Sequence, residues 1–211
     1  MFSFLKSKKY KPTTVKSTYY IRECLIHTSE DLIKILNPKK GGDTIEEKVR
    51  DEIKFKDLPL LNLSEKMIIN AMENPVYIHD NSEVIKGHRV LFYKEDVEFY
   101  RFLIQFHFIY NDFFFVSNKV SSSGMLSNNE KSKIVNQLKR KYLSDKPQKG
   151  DSFLLNLEDK NGSVLNTIDD VYFYVNYLSG IELTNKLKQR YSDFNADNPK
   201  PAFDESIDKY F

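Results

Sequence analysis

Several features that commonly reveal a protein's chemistry are scarce in this sequence. Its 211 residues include one cysteine, no tryptophan, seven glycines and seven prolines. A single cysteine excludes an internal disulfide framework and a zinc site built from cysteines. Cys24 lies among apolar residues in the segment YYIRECLIHT, which predicts a small buried thiol.

The sequence also lacks an excess of charge of one sign. It has 32 basic and 30 acidic residues and a net charge of +2, too balanced to indicate binding to nucleic acid or anionic lipid. The charge is uneven only locally. We predict a basic N-terminal tail at residues 1–16, a single globular α+β domain at 17–191 and an acidic C-terminal tail at 192–211.

No long hydrophobic run is present either. The opening MFSFLK is too short for the apolar core of a signal peptide, so a cytoplasmic location is expected. The most apolar stretch, residues 98–120, carries charged and amide side chains at regular intervals. Because a membrane-spanning helix needs about 20 nearly uninterrupted apolar residues, no membrane span is expected.

This apolar stretch has the period of two that is typical of a strand with one buried face. Asn111 and Asp112 interrupt it, which predicts a hairpin whose aromatic inner face pairs Tyr110 with Phe113 and Phe108 with Phe115. The opposite side, which includes His107 and Phe114, is mixed. Such a face is solvent-exposed, covered by a helix or used for partner binding, and the aromatic content favours core packing.

The remaining segments predict a mixed set of elements. Helices are expected at 28–37, 44–53, 62–74, 127–143, 167–180 and 181–191, and further strands at 17–26, 75–80, 83–93 and 152–167. Capping boxes support two of the helices, through Thr44 with Glu47 and Ser127 with Glu130. The segment 167–180 also fits a strand by alternation. The expected fold class is α+β, an antiparallel sheet including an aromatic hairpin with several packed helices.

Candidate catalytic groups are weak. The segment NPKKGGDT, residues 37–44, resembles a phosphate cradle in composition but lacks the glycine spacing of a P-loop, so a flexible connection is favoured. The four histidines form no metal-binding pair. His79 with Asp80 is the best local pair for a general base, without any nucleophile motif beside it. We therefore assign no catalytic residue, no metal ligand and no cofactor.

A basic segment is the strongest candidate for binding. In the predicted helix 127–143 and the residues after it, seven cations outnumber Glu130 and Asp145: Lys131, Lys133, Lys139, Arg140, Lys141, Lys146 and Lys149. The segment fits a solvated face or a site for phosphates or an acidic partner. The candidate partner-binding residues are Lys133, Lys139, Arg140, Lys141, His107 and Phe114.

These observations favour a non-enzymatic protein that binds a protein partner, such as an immunity-like protein or an accessory subunit. A tyrosine- and phenylalanine-rich composition suits contact surfaces. Nucleic-acid binding is an alternative, through the basic helix and exposed hairpin aromatics that would stack on bases. A second alternative is a cryptic hydrolase or transferase that uses His79 and Asp80, because active sites assembled from distant residues leave no local motif.

Overall fold

The computed structural model describes residues 17–38, 42–144 and 152–197. The helices in these ranges are α1 (Thr18–Glu23), α2 (Ser29–Leu36), α3 (Glu65–Met72), α4 (Asn128–Tyr142) and α5 (Ile181–Asp197). The strands are β1 (Ile45–Lys48), β2 (Lys54–Phe55), β3 (Leu58–Pro59), β4 (Tyr77–Asp80), β5 (His88–Val97), β6 (Tyr100–Ile109), β7 (Asp112–Ser121), β8 (Leu155–Glu158), β9 (Val164–Asp169) and β10 (Phe173–Leu178). Among the described helices, none is long and apolar enough to cross a membrane.

Eight strands form one sheet in the order β1-β8-β9-β10-β7-β6-β5-β4, and β2 pairs with β3 separately. All neighbours in the large sheet are antiparallel except β1 and β8, which run parallel. The α+β class therefore holds in its coarse form, as a largely antiparallel sheet with helices.

Both faces of the sheet are covered. On the side of Phe106 and Val116, here called face B, the strands pack against apolar residues of α3, α4 and the β2–β3 hairpin. On the side of Phe115 and Leu178, here called face A, they pack against α2 and α5. Cys24, just after α1, belongs to a third cluster over the β4–β6 end of face A and is 2% exposed, which confirms the predicted buried thiol.

Side-chain caps begin three of the helices, and the sequence places two of them, Thr28 and Ser127, correctly. Thr28 with Asp31 opens α2 and Ser127 with Glu130 opens α4, each as a complete capping box. The Ser64 hydroxyl accepts from the Met67 amide at the start of α3. These hydroxyls satisfy backbone amides that have no partner inside the helix.

Three segments have a different secondary structure from the one predicted. Residues 18–23 form a helix rather than a strand, and Tyr20 of that helix stacks on Tyr77 at 4.9 Å. The predicted helix at 44–53 is wrong, because residues 45–48 form edge strand β1 and the Val49 amide donates to the Glu158 carbonyl. The predicted helix at 167–180 is also wrong and contains the end of β9 and all of β10.

The turn between β6 and β7 lies one residue earlier than predicted. Tyr110 and Asn111 form it, with φ angles of 51° and 70°, the left-handed pair that tight hairpins require. Phe108 consequently pairs with Phe113, and Ile109 pairs with Asp112. The predicted pairs of Tyr110 with Phe113 and Phe108 with Phe115 are therefore wrong.

The two predicted tails lie largely outside the described residues. The basic tail at 1–16 is not described, and within the predicted acidic tail only the backbone of 192–197 is described, as the end of α5. Residues 39–41 of the lysine- and glycine-containing loop, and Lys146 and Lys149 after α4, also lie outside the described ranges.

Candidate functional site

The sequence-predicted binding residues separate into an exposed and a buried group. Lys133, Arg140 and Lys141 are exposed on one side of α4, seven and eight residues apart. Lys139 is 3% exposed, because it lies on the side of α4 that contributes Val135 to the face B core. The exposed stripe of α4 therefore carries three cations rather than four.

His107 and Phe114 are fully buried, each at 0% exposure, so neither lies on a surface that a partner or a base could contact. The cause is a β-bulge where the β6–β7 register shifts between His107 and Phe108. The extra residue in β7 is Phe114, and both Phe114 and Phe115 pack on face A, with ring centroids 6.1 and 5.2 Å from that of His107. These two candidates belong to the core.

A chain of hydrogen bonds connects His107 to the loop after β4. The Asn81 side-chain nitrogen donates to the Ile26 carbonyl at 2.9 Å and lies 2.9 Å from His88 Nδ1. Because an amide nitrogen only donates, His88 Nδ1 is the acceptor and the His88 proton sits on Nε2. His88 Nε2 then donates to His107 Nδ1 at 3.0 Å, which leaves the His107 proton on its own Nε2.

Both imidazoles are held neutral. Burial lowers the pKa of His88 to about 4. Burial, together with the neighbouring His88, lowers the pKa of His107 well below its usual range. The Nε2 atom of His107 has no hydrogen-bond partner within the described part of the chain. The pair is thus a neutral, directional hydrogen-bond chain that ends in an unpaired N–H donor.

A second polar feature crosses face A at the middle of the sheet. Strand pairing places five polar residues side by side on five consecutive strands: Asn156, Asn166, Asn176, Ser117 and Gln105. All five are between 0% and 9% exposed. We call this set the polar row. It is unusual because buried strand positions are normally apolar.

The polar row is only partly satisfied by hydrogen bonds. Gln105 is fully used: its amide donates to the Glu23 carbonyl at 2.7 Å and its oxygen accepts from the Leu25 amide at 3.2 Å. The Asn176 nitrogen donates to the Asn166 oxygen at 3.2 Å. By contrast, Asn156 Oδ1, Asn176 Oδ1 and Ser117 Oγ are buried and have no partner among the residues described.

The most exposed apolar surface lies at one end of the sheet. Three connections lie there: β5–β6, β7–α4 and β9–β10. Strand pairing brings them together, because the start of β6 is beside the ends of β5 and β7, and the start of β10 is beside the ends of β7 and β9. Each connection exposes large apolar side chains: Val97 (50%), Phe99 (82%), Met125 (73%), Val171 (62%) and Tyr172 (41%). We call these five residues the apolar end.

A pocket of about 210 Å³ opens within the apolar end. Met125, Val171 and Tyr172 line its mouth, and the core residues Val120 and Phe173 also line it. Lys131, in the second turn of α4, lines it as well and pairs with Asp169 at 2.7 Å. The pocket is therefore lined mainly by apolar residues, together with the paired Lys131 and the carboxylate of Asp170.

Tyr172 is held in place at this surface. The Lys119 ammonium lies 3.5 Å from the centroid of the Tyr172 ring and pairs with the Glu23 carboxylate at 2.8 Å. A cation over an aromatic face, itself fixed by a carboxylate, restricts the ring orientation. The side chain of Tyr172 is therefore ordered by contacts within the protein.

The predicted general-base pair is not brought together. His79 and Asp80 are successive residues of β4 and therefore point to opposite faces of the sheet. The Asp80 carboxylate accepts hydrogen bonds from the backbone amide and hydroxyl of Ser82, which lower its pKa. In the described ranges, no group of three or more His, Cys, Asp or Glu side chains is arranged to hold a metal ion.

Sequence reasoning missed the apolar end and the polar row. Met125 follows Ser-Ser-Ser-Gly, and an apolar residue in so polar a loop is a signal of exposure that the sequence does contain. The three asparagines of the polar row recur ten residues apart, each with an apolar residue before it. Comparison with family models, curated proteins and solved structures gives no match for this chain.

Proposed function

We propose that the chain is a non-enzymatic protein that binds a protein partner through the apolar end. The observation that carries this proposal is the convergence of Val97, Phe99, Met125, Val171 and Tyr172 on three adjacent connections. Contiguous exposed apolar side chains rimmed by polar residues are typical of protein interfaces. The pocket beside Met125 suits an apolar anchor residue of the partner.

The charges around this surface favour a protein over a nucleic acid or an anionic membrane. Glu98 and Asp170 are exposed at the apolar end, and carboxylates there oppose a phosphate backbone or a lipid headgroup. Of the hairpin residues, the binding candidates His107 and Phe114 are buried and offer no surface for base stacking. A protein partner whose contact surface has apolar residues at its centre fits both observations.

The α4 stripe defines the chemistry of the partner further. Met125 lies two residues before Ser127, the N-cap of α4, and Lys131 of α4 lines the pocket, so the helix that exposes Lys133, Arg140 and Lys141 begins beside the pocket. Charge complementarity across an interface speeds association and selects partners. The proposed partner is therefore a protein with an apolar anchor and an acidic patch beside it.

Affinity capture from an extract of the native host tests this proposal with matched variants. We expect the wild type to retain one protein and the Met125→Asp variant to lose it. The triple change K133E, R140E and K141E should weaken its retention at low salt. The triple change K66E, K86E and K160E alters the net charge equally at exposed lysines outside α4, and should retain it. Equal retention by all variants, or salt-sensitive recovery of nucleic acid alone, would contradict the proposal.

A further inference from the structure

We infer that the pocket at the apolar end binds a tryptophan side chain of the partner, which rests on the proposed function and specifies the anchor residue that this surface takes. Three properties of the pocket support a tryptophan: its size, its apolar lining and one free carboxylate. An indole ring combines a large apolar surface with a single N–H donor and so fits all three. Tryptophan is also among the residues that most often dominate the binding energy of protein interfaces.

The size and lining of the pocket favour one inserted side chain. Its volume of about 210 Å³ is below the roughly 300 to 1,000 Å³ of pockets that hold a drug-sized ligand. Val120 and Phe173 line it from the core of face B and are 2% and 1% exposed. Met125 and Val171 line its mouth and are far more exposed. An aromatic side chain that enters from outside therefore contacts apolar side chains both at the mouth and inside.

One polar side chain of the pocket is available to a ligand. Lys131 and Asp169 neutralise one another at 2.7 Å, and their side chains are only 17% and 21% exposed. The Asp170 amide donates to the Tyr172 carbonyl at 3.2 Å, but the exposed Asp170 carboxylate has no hydrogen bond or ion pair within the described residues. An ionised carboxylate only accepts hydrogen bonds. The occupant of the pocket therefore needs a donor attached to its apolar body.

Other anchor residues fit this combination less well. A phenylalanine, leucine or methionine would displace water from the Asp170 carboxylate without offering it a hydrogen bond. An arginine would bring a second cation into a pocket that Lys131 already lines. Because the chain itself contains no tryptophan, a second copy of it does not supply the anchor. The tryptophan therefore belongs to a different protein.

NMR of the full chain with ¹³C-labelled methionine methyl groups tests this inference. The probes are N-acetyltryptophanamide, N-acetylphenylalaninamide and N-acetylargininamide, which present each side chain without terminal charges. We expect the tryptophan probe to shift the Met125 methyl signal saturably. The methyl signal of Met67, which is 38% exposed on α3, is the internal control and should not move. The phenylalanine and arginine probes should bind at least about threefold more weakly, since neither combines an aromatic body with a neutral donor.

Two matched variants test the role of the carboxylate. Asp170→Ala should reduce the affinity for the tryptophan probe to that for the phenylalanine probe, because only the indole N–H uses this group. Glu83→Ala removes the same charge from an exposed position on the β4–β5 connection, at the opposite end of the sheet, and should bind both probes as the wild type does. Both residues are exposed, so neither change removes core packing.

Three outcomes would overturn the inference. They are no saturable shift at Met125, binding of the phenylalanine or arginine probe as tight as that of the tryptophan probe, and a preference for tryptophan that survives Asp170→Ala. The proposed function fails separately. Partner capture without probe binding would leave the proposed function standing and remove the tryptophan anchor. Probe binding without partner capture would keep the indole preference of the pocket and contradict the partner-binding role.

Discussion

His88 Nε2 lies 3.0 Å from His107 Nδ1, and the two imidazole rings stack at an interplanar angle of 13°. The pair joins strands β5 and β6 from inside face A, where the bulge at Phe114 encloses it. Two neutral histidines in a core make the stability of the fold dependent on pH.

We predict that the free energy of unfolding falls as the pH drops from about 6.5 toward 4. In the unfolded chain His88 binds a proton below its ordinary pKa of 6.5, whereas in the folded chain its pKa is lowered to about 4. Its contribution is therefore fully present above pH 6.5 and is lost on acidification, by about 3 kcal/mol at pH 4. Urea denaturation at a series of pH values measures this.

The exposed His27 provides the control for this prediction. His88→Gln should show a shallower fall of stability between pH 6.5 and 4, after allowance for its lower stability at neutral pH. His27→Gln should follow the wild-type curve. Parallel curves for His88→Gln and the wild type would show that the buried pair does not titrate in this way.

We predict that Gln105→Leu destabilises the protein by about 2 to 4 kcal/mol, because it leaves the Glu23 carbonyl and the Leu25 amide without their partner. The same change should make the connection between α1 and α2 more sensitive to limited proteolysis. Gln137→Leu on the exposed side of α4 should change stability by less than about 0.5 kcal/mol. Equal melting temperatures for the two variants would argue against this role for Gln105.

Phe114 is predicted to act through the core rather than at an interface. Phe114→Ala should lower the unfolding free energy by about 3 to 5 kcal/mol, since the ring is fully buried. Phe99→Ala should leave stability nearly unchanged, because Phe99 is 82% exposed, but should weaken partner capture. Chemical denaturation measures the unfolding free energy of both variants. A Phe114→Ala variant that stays stable and loses only partner binding would show that Phe114 belongs to the binding surface.

The sequence was informative where structure is determined locally. The caps at Thr28 and Ser127 lie within three residues of the amides they satisfy, so the starts of α2 and α4 could be predicted. Helix α3 was expected to begin at residue 62 and begins after the Ser64 cap. Similarly, β6 was identified correctly as a strand from aromatic and aliphatic residues at every second position: Phe102, Ile104, Phe106 and Phe108.

The errors arose where distant partners decide the structure. Thr44 and Glu47 fit a capping box, but Ile45 and Glu47 pair with Leu155 and Leu157 of β8, more than 100 residues away along the chain. In β10, Phe173, Val175 and Tyr177 face the large core on face B. The helix prediction came from a different set in the same segment, because its apolar residues also fit a helical stripe in isolation: Ile168, Val171, Tyr172, Val175 and Leu178. Tertiary contacts override local preference in both segments.

The candidate sites show the same limit. Nothing local places Asn156, Asn176 and Ser117 beside one another, because their alignment depends on the register of four strands. The apolar end likewise combines connections that are distant in sequence. In contrast, the exposure of Lys133, Arg140 and Lys141 agrees with helical periodicity on α4. The sequence analysis grouped them with Lys139, which the same periodicity turns toward the core.

The most direct test of the central claim is site-specific photo-crosslinking in cells of the native host. A photoreactive phenylalanine analogue would replace Met125 in one variant and Val84 in another, since Val84 is 45% exposed on the β4–β5 connection at the opposite end of the sheet. We predict one crosslinked protein product of defined mass from position 125 and none from position 84. No product at position 125, or the same products at both positions, would contradict a partner-binding role for the apolar end.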